Sequence, residues 1–219
     1  MSQGLDEIEV RLTIEEDWEI LKTVRLESLL DSPDVFSATY AIVEKYSESE
    51  WRDRAAHKTK YQYILAIKDT QAIGIVGGIQ NSAHDFNLVA MWVNPKFRGK
   101  GIADILISTI KELAISKGHN RIVLSVSPGN SRAVDVYSRH GFVFISEWEV
   151  LPLSSGEKNQ KMEAKRESKS HPKRPKIILG ADRSRLCQSP GANSKNTIFL
   201  VLAQSCKSLV LAQSWRNLF

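Results

Sequence analysis

Apolar residues in the first 164 positions of the chain follow two patterns. Short apolar runs bounded by turn residues predict strands, and apolar residues that recur every three or four positions predict amphipathic helices. Because the predicted strands 62–68, 73–80 and 86–93 follow one another through short connections, the pattern predicts an α+β fold with a mixed, mostly antiparallel sheet. The predicted strands are 8–12, 62–68, 73–80, 86–93, 121–127, 142–151 and 158–164, and the predicted helices are 13–30, 48–58, 102–117 and 131–139.

Two helix starts are marked by a hydroxyl residue followed three positions later by a glutamate. Thr13 with Glu16, and Ser47 with Glu50, have this capping-box spacing, in which both side chains bond free N–H groups at the start of a helix. The adjacent Gly77-Gly78 interrupts a predicted strand, and the missing side chains predict a bulge or a close approach of another backbone.

Charge divides the chain near residue 164. The first 164 residues carry 19 Lys+Arg and 23 Asp+Glu and the last 55 carry 11 and 2, so net charges of −4 and +9 give the whole-chain +5. A unit of 164 residues buries about 70% of its extended-chain surface, which is enough for an independent core. We therefore predict one domain over 1–164 and a basic, disordered extension over 165–219.

The extension has two features of its own. Residues 165–176 hold six basic residues and two prolines, and the hexapeptide at 200–205 recurs unchanged at 209–214. Two copies are too few for a solenoid, so we interpret the repeat as a duplication without a selected role. No aromatic residue is interleaved with the basic run to stack on bases. This favours a solvated tail over the alternative of a nucleic-acid-associated protein that acts through the tail.

Both cysteines, Cys187 and Cys206, lie in this extension. A disulfide framework is therefore not predicted, and a reducing cytoplasm is the default location. The first 11 residues lack the apolar segment of a signal peptide, and no apolar stretch is long enough to span a membrane, so neither secretion nor a membrane span is predicted. The histidines and cysteines show no metal-ligand spacing, so we predict no metal site.

A basic, glycine-rich turn stands between the predicted strand 86–93 and the predicted helix 102–117. Unpaired N–H groups of such a turn point the same way, and the helix dipole adds roughly half a positive charge, so the turn predicts a cradle for phosphate groups. ATP and NAD are disfavoured, because no Ser or Thr follows the Gly-Lys pair and Asp104 replaces the third small residue of a dinucleotide fingerprint. The cradle consists of Arg98, Gly99, Lys100, Gly101, Ile102 and Ala103.

A second motif, at 130–142, gives the turn a family context. Together the two motifs resemble the GNAT superfamily of acyl-CoA-dependent N-acyltransferases, whose turn pattern of Arg or Gln, two residues, Gly, one residue, and Gly or Ala is met in full. The resemblance covers about residues 8–164. It is carried by Met91 to Pro95, Arg98 to Ala103, Asn130, Ala133, Tyr137, Gly141-Phe142 and Met162, and upstream by Arg25 to Leu29, Ser32 to Phe36 and Glu50-Trp51.

The resemblance implies a fold, a cosubstrate and a reaction. It implies a GNAT-like sheet flanked by helices, with a splayed strand pair that holds acetyl-CoA, and direct transfer of the acetyl group to a primary amine in a ternary complex. The acceptor amine belongs to a small molecule, a peptide or a protein, and a homodimer is compatible with the family. Asn130 has two interpretations, as a helix N-cap and as a cofactor contact. The other implied cofactor contacts are Met91, Trp92 and Val93, the six residues of the turn, and Tyr137.

Tyr137 is the candidate general acid. The departing thiolate needs a proton, and a phenol with a reference pKa of about 10 supplies it without being ionised at neutral pH. The alternative is a core tyrosine, because Ala133, Val134 and Tyr137 share one face of the predicted helix 131–139.

The general base is left unassigned by the sequence. Relatives often carry an acidic residue where this chain has Asn87. That difference opens the alternative of a coenzyme A-binding module without a working base. Each remaining candidate is also compatible with a solvated side chain on a loop or helix. These candidates are Glu27, Glu44, His84 and Asp85.

Overall fold

The structure is a computed structural model that describes residues 8–80, 85–150 and 158–165. Every predicted strand is present, with ends within two residues of the predicted ones. The strands are β1 (Ile8–Leu12), β2 (Tyr61–Lys68), β3 (Gln71–Gln80), β4 (Phe86–Val93), β5 (Arg121–Val126), β6 (Val143–Val150) and β7 (Lys158–Lys165). The helices are α1 (Trp18–Asp31), α2 (Tyr40–Val43), α3 (Glu48–Ala55), α4 (Ile102–Ser116) and α5 (Ser131–Arg139).

The seven strands form one sheet in the order β1-β2-β3-β4-β5-β7-β6. Neighbouring strands are antiparallel except for β4 and β5, which are parallel. The helix α4 lies between these two strands in the chain, as the crossover of a parallel pair requires. The predicted α+β fold with a mixed, mostly antiparallel sheet is confirmed.

Helices cover both faces of the sheet, and the sheet lies between two apolar cores. Alternate residues of β2 point to opposite faces, so that Ile64 and Ala66 join the core with α4, and Tyr63 and Leu65 join the core with α1 and α3. Because both faces are buried, the middle of β2, from Tyr63 to Ile67, is continuously apolar instead of alternating between apolar and polar residues.

Of the two predicted capping boxes, one is present. Ser47 Oγ accepts from Glu50 N, and Ser47 N donates to the Glu50 carboxylate at 2.8 Å. The box predicted for Thr13 and Glu16 is wrong. Thr13 is buried with its hydroxyl donating to Ala55 O at 2.9 Å, and α1 begins only at Trp18, with Asp17 as its N-cap residue.

At the glycine pair the structure shows the close approach of a side chain, whereas the sequence predicted a bulge or the approach of a backbone. A Cβ on Gly78 would lie 2.2 Å from the Phe86 ring of the neighbouring strand. Any side chain there would displace a ring that is itself buried, so the position requires glycine for steric reasons.

Several predictions fall outside the described residues. Of the predicted extension 165–219, only Lys165, at the end of β7, is described, and the basic run, the repeat and both cysteines lie outside. The boundary of the predicted domain therefore stays a prediction. In the described part of the chain, no helix has the length and apolar character needed to cross a membrane.

Candidate active site

The strands β4 and β5 pair at one end only. Their parallel pairing joins Phe86 with Ile122 and Asn87 with Val123, although β4 continues to Val93 and β5 to Val126. Beyond Asn87 the strands diverge, which leaves the edge of β4 open toward β5. An open strand edge binds extended, amide-rich ligands through its N–H and C=O groups. The splayed strand pair expected from the resemblance is therefore confirmed.

β4 contains an extra residue where it lines this opening. Ile75 pairs with Trp92 and Gly77 with Val89, so a step of two residues on β3 meets a step of three on β4. Ala90 sits in the bulge with a φ of 53°, in the left-handed region that residues other than glycine rarely adopt. Such bulges turn backbone groups out of the ladder and are frequent at functional sites. The bulge is followed directly by three of the predicted cofactor contacts, Met91, Trp92 and Val93.

The glycine-rich turn leaves space for an anion at the start of α4. Gly99 and Gly101 have φ values of 77° and 78°, and in the described part of the chain no heavy atom lies within 4 Å of a Cβ placed on either. Gly101 is also the residue that precedes the first turn of α4, where backbone N–H groups have no partner within the helix. A pyrophosphate can therefore approach the backbone closely.

The guanidinium of Arg98 turns away from the space beside the glycines. Its Nη2 donates to Asp31 Oδ2 at 2.5 Å and its Nε donates to Val93 O at 2.9 Å. Asp31 therefore neutralises the charge of Arg98, one of the two basic residues predicted to attract phosphate. The backbone of Arg98 and the ammonium of Lys100, which lies 5.1 Å from the Phe97 ring centroid, stay next to the glycines.

Asp31 joins the end of α1 to the strand and turn of the cofactor side. Besides Arg98, it accepts a hydrogen bond from Trp92 Nε1 at 2.8 Å and from Ser32 Oγ at 2.9 Å. Burial would raise the pKa of Asp31, but the hydrogen bonds from Trp92, Ser32 and Arg98 together outweigh it and hold this pKa below its usual value. The ionised carboxylate thus fixes the Trp92 indole and the Arg98 side chain together.

Asp104, in the first turn of α4, would repel phosphate groups if its charge were unmatched. Its Oδ1 lies 3.0 Å from His140 Nε2 and 3.3 Å from Arg139 Nη2. Burial would raise the pKa of Asp104, but the hydrogen bonds from His140 and Arg139 outweigh it and lower this pKa. The end of α5 therefore neutralises the one acidic side chain in the first turn of α4.

A cavity of about 310 Å³ extends from the splayed strands to the helices α1 and α3. It brings together two predicted site residues, Met91 and Tyr137, and it also borders Asn87. The side chain of Trp92 instead packs in the core of α1 and α3. The polar residues that line the cavity are Arg25, Ser37, Tyr46, Trp51, Arg54, Tyr61, Tyr63, Asn87, Ser125, Tyr137, Glu149 and Asn159.

Tyr137 combines a packed ring with an unbonded hydroxyl. The ring meets Phe142 edge-on at 5.8 Å between centroids, and the residue is 9% exposed. The structure gives the hydroxyl no hydrogen-bond partner among the described residues. Tyr137 borders the cavity, and burial raises its pKa above its usual value, so the phenol stays protonated at neutral pH.

Asn130 is the N-cap of α5. Its Oδ1 accepts a hydrogen bond from Ala133 N at 3.2 Å. This contact accounts for the residue type by the capping interpretation. A contact between Asn130 and the cofactor stays a prediction.

None of the described base candidates from the sequence borders the cavity. Asp85 bonds to Arg121 at 2.6 Å, Glu27 and Glu44 are exposed, and His84 lies outside the described residues. Among the described residues that line the cavity, the carboxylate is that of Glu149 on β6, whose Oε2 accepts from Ser125 Oγ at 2.5 Å. Glu149 was not predicted from the sequence, because the position of Glu149 beside Ser125 depends on pairing between strands that are distant in sequence.

The chain belongs to the acetyltransferase (GNAT) family, whose model matches residues 26–142. It is similar to the thialysine N-epsilon-acetyltransferase of Bos taurus, with 36% identity over 59 residues, and to that of Sus scrofa, with 37% over 51 residues. These matches cover 27% and 23% of this chain and only 35% and 30% of the two relatives.

Solved structures share the fold. The PaiA N-acetyltransferase of Thermoplasma acidophilum, in complex with coenzyme A, has a TM-score of 0.56 and 23% identity, over 73% of this chain and 99% of its own. YncA of Salmonella typhimurium, with its cofactor acetyl-CoA, has a TM-score of 0.58 and 12% identity, over 76% and 98%. Acetyl-CoA as cosubstrate fits both this family and the residues present, since the open β4 edge and the empty space at Gly99 and Gly101 suit its two halves.

Proposed function

We propose that the chain transfers an acetyl group from acetyl-CoA to a primary amine by direct attack in a ternary complex. The observation that carries this proposal is the cavity, which borders the bulged β4, the unbonded hydroxyl of Tyr137 and the carboxylate of Glu149. An acyl acceptor, a proton donor and a proton acceptor can therefore meet beside one strand edge.

Positioning is the first contribution of the chain. The turn 98–103 binds the pyrophosphate through backbone N–H groups, and the open edge at Met91 to Val93 bonds the amides of the pantetheine arm. Holding the thioester carbonyl near the cavity makes the reaction with a bound amine effectively unimolecular.

Proton transfer is the second contribution, and we assign it to two residues. Glu149 accepts a proton from the substrate ammonium, and the free amine attacks the thioester carbonyl carbon while the C–S bond breaks. Tyr137 donates its phenolic proton to the departing sulfur and recovers one from solvent. The nitrogen loses its second proton to solvent as the amide forms, so the products are the amide, the coenzyme A thiol and one released proton.

The test compares Glu149→Gln with Glu147→Gln, a control two residues along the same strand that removes the exposed ion pair with Lys161. With acetyl-CoA and a panel of primary amines, detected by release of the coenzyme A thiol, we expect E149Q to lower kcat/KM by about 10²–10⁴-fold. E147Q should change it by less than about threefold, because surface ion pairs contribute little. Full activity of E149Q would remove Glu149 from the reaction.

The same assay decides between the enzyme and the non-catalytic alternative. Binding of coenzyme A without acetylation of any amine in the panel would favour a cofactor-binding module, the alternative that Asn87 opens. Thialysine is the substrate in the names of the mammalian relatives, which motivates the inclusion of amines with an ε-type nitrogen in the panel.

Three finer predictions remain open to experiment. The acceptor is a small molecule, a peptide or a protein, and peptide libraries beside the amine panel separate these classes. A cytoplasmic location is tested by imaging of a tagged chain. A homodimer is tested by sedimentation of the purified protein over a range of concentrations.

A further inference from the structure

Arg25, on α1, is a buried cation without an acidic partner. It is 9% exposed, and its guanidinium donates to Ser28 Oγ at 3.2 Å and lies 4.6 Å from the Phe36 ring centroid. Among the described residues, no carboxylate lies within ion-pair distance of it. Burial lowers the pKa of Arg25, against a weaker opposing effect of nearby tyrosines. Removing a charge from water is costly unless a counter-charge is supplied.

Trp51, on α3, lines the same cavity and has an unpaired donor among the described residues. The residue is 1% exposed, and its Nε1 has no hydrogen-bond partner among the described residues. Buried indole N–H groups usually have a partner, because an unpaired donor loses the hydrogen bond that water would provide. Among the described residues, a buried guanidinium without a carboxylate partner and an unpaired indole N–H therefore belong to two residues that line one cavity, and this pair favours an oxyanion as the ligand.

The surroundings of these two residues also favour negative charge. Arg54 lies over the Tyr46 ring at 4.0 Å and borders the cavity as a second cation. Burial raises the pKa of Tyr63 to about 12, so this phenol stays a neutral donor. The carboxylate that we assign as base, Glu149, comes from β6, whereas Arg25 and Arg54 come from α1 and α3.

We propose that the acceptor is an anionic amine, whose carboxylate or phosphate group binds Arg25 and Trp51 while its amine lies near Tyr137 and Glu149. This inference rests on the proposed acetyl transfer. Arg25 and Trp51 come from α1 and α3, whereas Tyr137 and Glu149 come from α5 and β6, so we infer an elongated acceptor with several bonds between its amine and its anion.

The test uses amines that differ only in the anion: 6-aminohexanoate, 5-aminopentyl phosphate and hexylamine. For the full-length protein we expect kcat/KM to be at least about 30-fold higher for one of the anionic amines than for hexylamine. Which anionic amine is preferred distinguishes a carboxylate from a phosphate. Equal kcat/KM for all three would overturn the anion site while leaving acetyl transfer intact.

Arg25→Met removes the charge but keeps most of the side-chain volume, and Arg25→Lys keeps the charge without the planar fork. We expect R25M to reduce the preference for the anionic amine to within about threefold, and R25K to retain part of it. Arg52→Met is the matched control, because Arg52 pairs with Glu48 on the surface of α3 and does not border the cavity. A preference that R25M leaves intact would overturn the proposal.

A binding measurement separates the two proposals. In the presence of saturating coenzyme A, we expect the preferred anionic amine to raise the melting temperature of the wild-type protein and of R52M but not of R25M, and hexylamine to raise none. Such binding without any acetyl transfer would leave the anion site standing and contradict the proposed reaction. The absence of both binding of an anionic amine and preference for it would contradict the anion site itself.

Discussion

Tyr137 meets two demands with different parts of one side chain. Its ring packs against Phe142 in the core of the α4 face, which would explain the residue without any catalysis. Its hydroxyl adds nothing to that packing and has no described hydrogen-bond partner. The two interpretations from the sequence therefore differ only in the hydroxyl, and removing it alone separates them.

For Tyr137→Phe we expect kcat to fall at least about tenfold, because general acid assistance is commonly worth about 10²–10⁴-fold. The melting temperature should change little, since the ring keeps its packing and the hydroxyl has no hydrogen-bond partner among the described residues. Steady-state kinetics with any acetylated amine, together with titration of coenzyme A, measure both effects. If kcat stayed at the wild-type value, Tyr137 would be a core residue and water would protonate the thiolate.

Asp31 predicts a pH dependence. Because its pKa in the folded protein lies below the ordinary value of 3.8, the ionised carboxylate stabilises the fold above that pH, and this contribution is lost as the pH falls below it. We expect Asp31→Asn to be less stable than the wild type by about 1 kcal/mol at pH 7, after screening at a partly exposed site, with the difference shrinking below about pH 4. Thermal unfolding between pH 3 and 7 measures this, with the exposed Asp34→Asn as control. A constant difference across this range would contradict the assignment.

At the scale of elements, α4 is bounded by glycines of nearly equal conformation at ends of opposite polarity. Gly101 and Gly118 have φ values of 78° and 85°, and the described residues leave open space around both. A substitution at either position strains the backbone similarly. Only the start of α4, where N–H groups point outward, is suited to phosphate.

This symmetry allows a controlled test of the phosphate cradle. We expect Gly101→Asp to abolish binding of acetyl-CoA, because its carboxylate occupies and repels the position of the pyrophosphate, while Gly118→Asp retains it. Calorimetric titration gives the affinity, and melting curves show whether the two variants are strained alike. Cofactor binding by a folded G101D protein would place the phosphates elsewhere.

For the whole molecule, the sequence predicted what depends on local pattern. Strand ends and the cap at Ser47 follow from periodicity and spacing. The capping box at Thr13 was predicted wrongly, because the surroundings of Thr13 depend on a distant residue, Ala55, which is 42 positions away in the sequence. The residues that line the cavity were not predicted as a group, because their proximity also depends on contacts between distant segments. Arg25, Trp51 and Glu149 become neighbours of one space only through the packing of α1, α3 and β6, which no short motif encodes.

The last prediction concerns the extent of the domain. The strand β7 ends at Lys165 and lies between β5 and β6, so the sheet needs the chain to that point. The charge and the repeat beyond it do not match a core. We therefore expect removal of residues 170–219 to leave the melting temperature and acetyl-CoA affinity unchanged and to raise solubility, because apolar, β-prone segments such as 200–205 are removed.

Removal of residues 158–219 is the control and should unfold the protein, because β5 and β6 lose their common neighbour. A shorter chain ending at residue 169 that lost cofactor affinity would show that the extension is part of the domain.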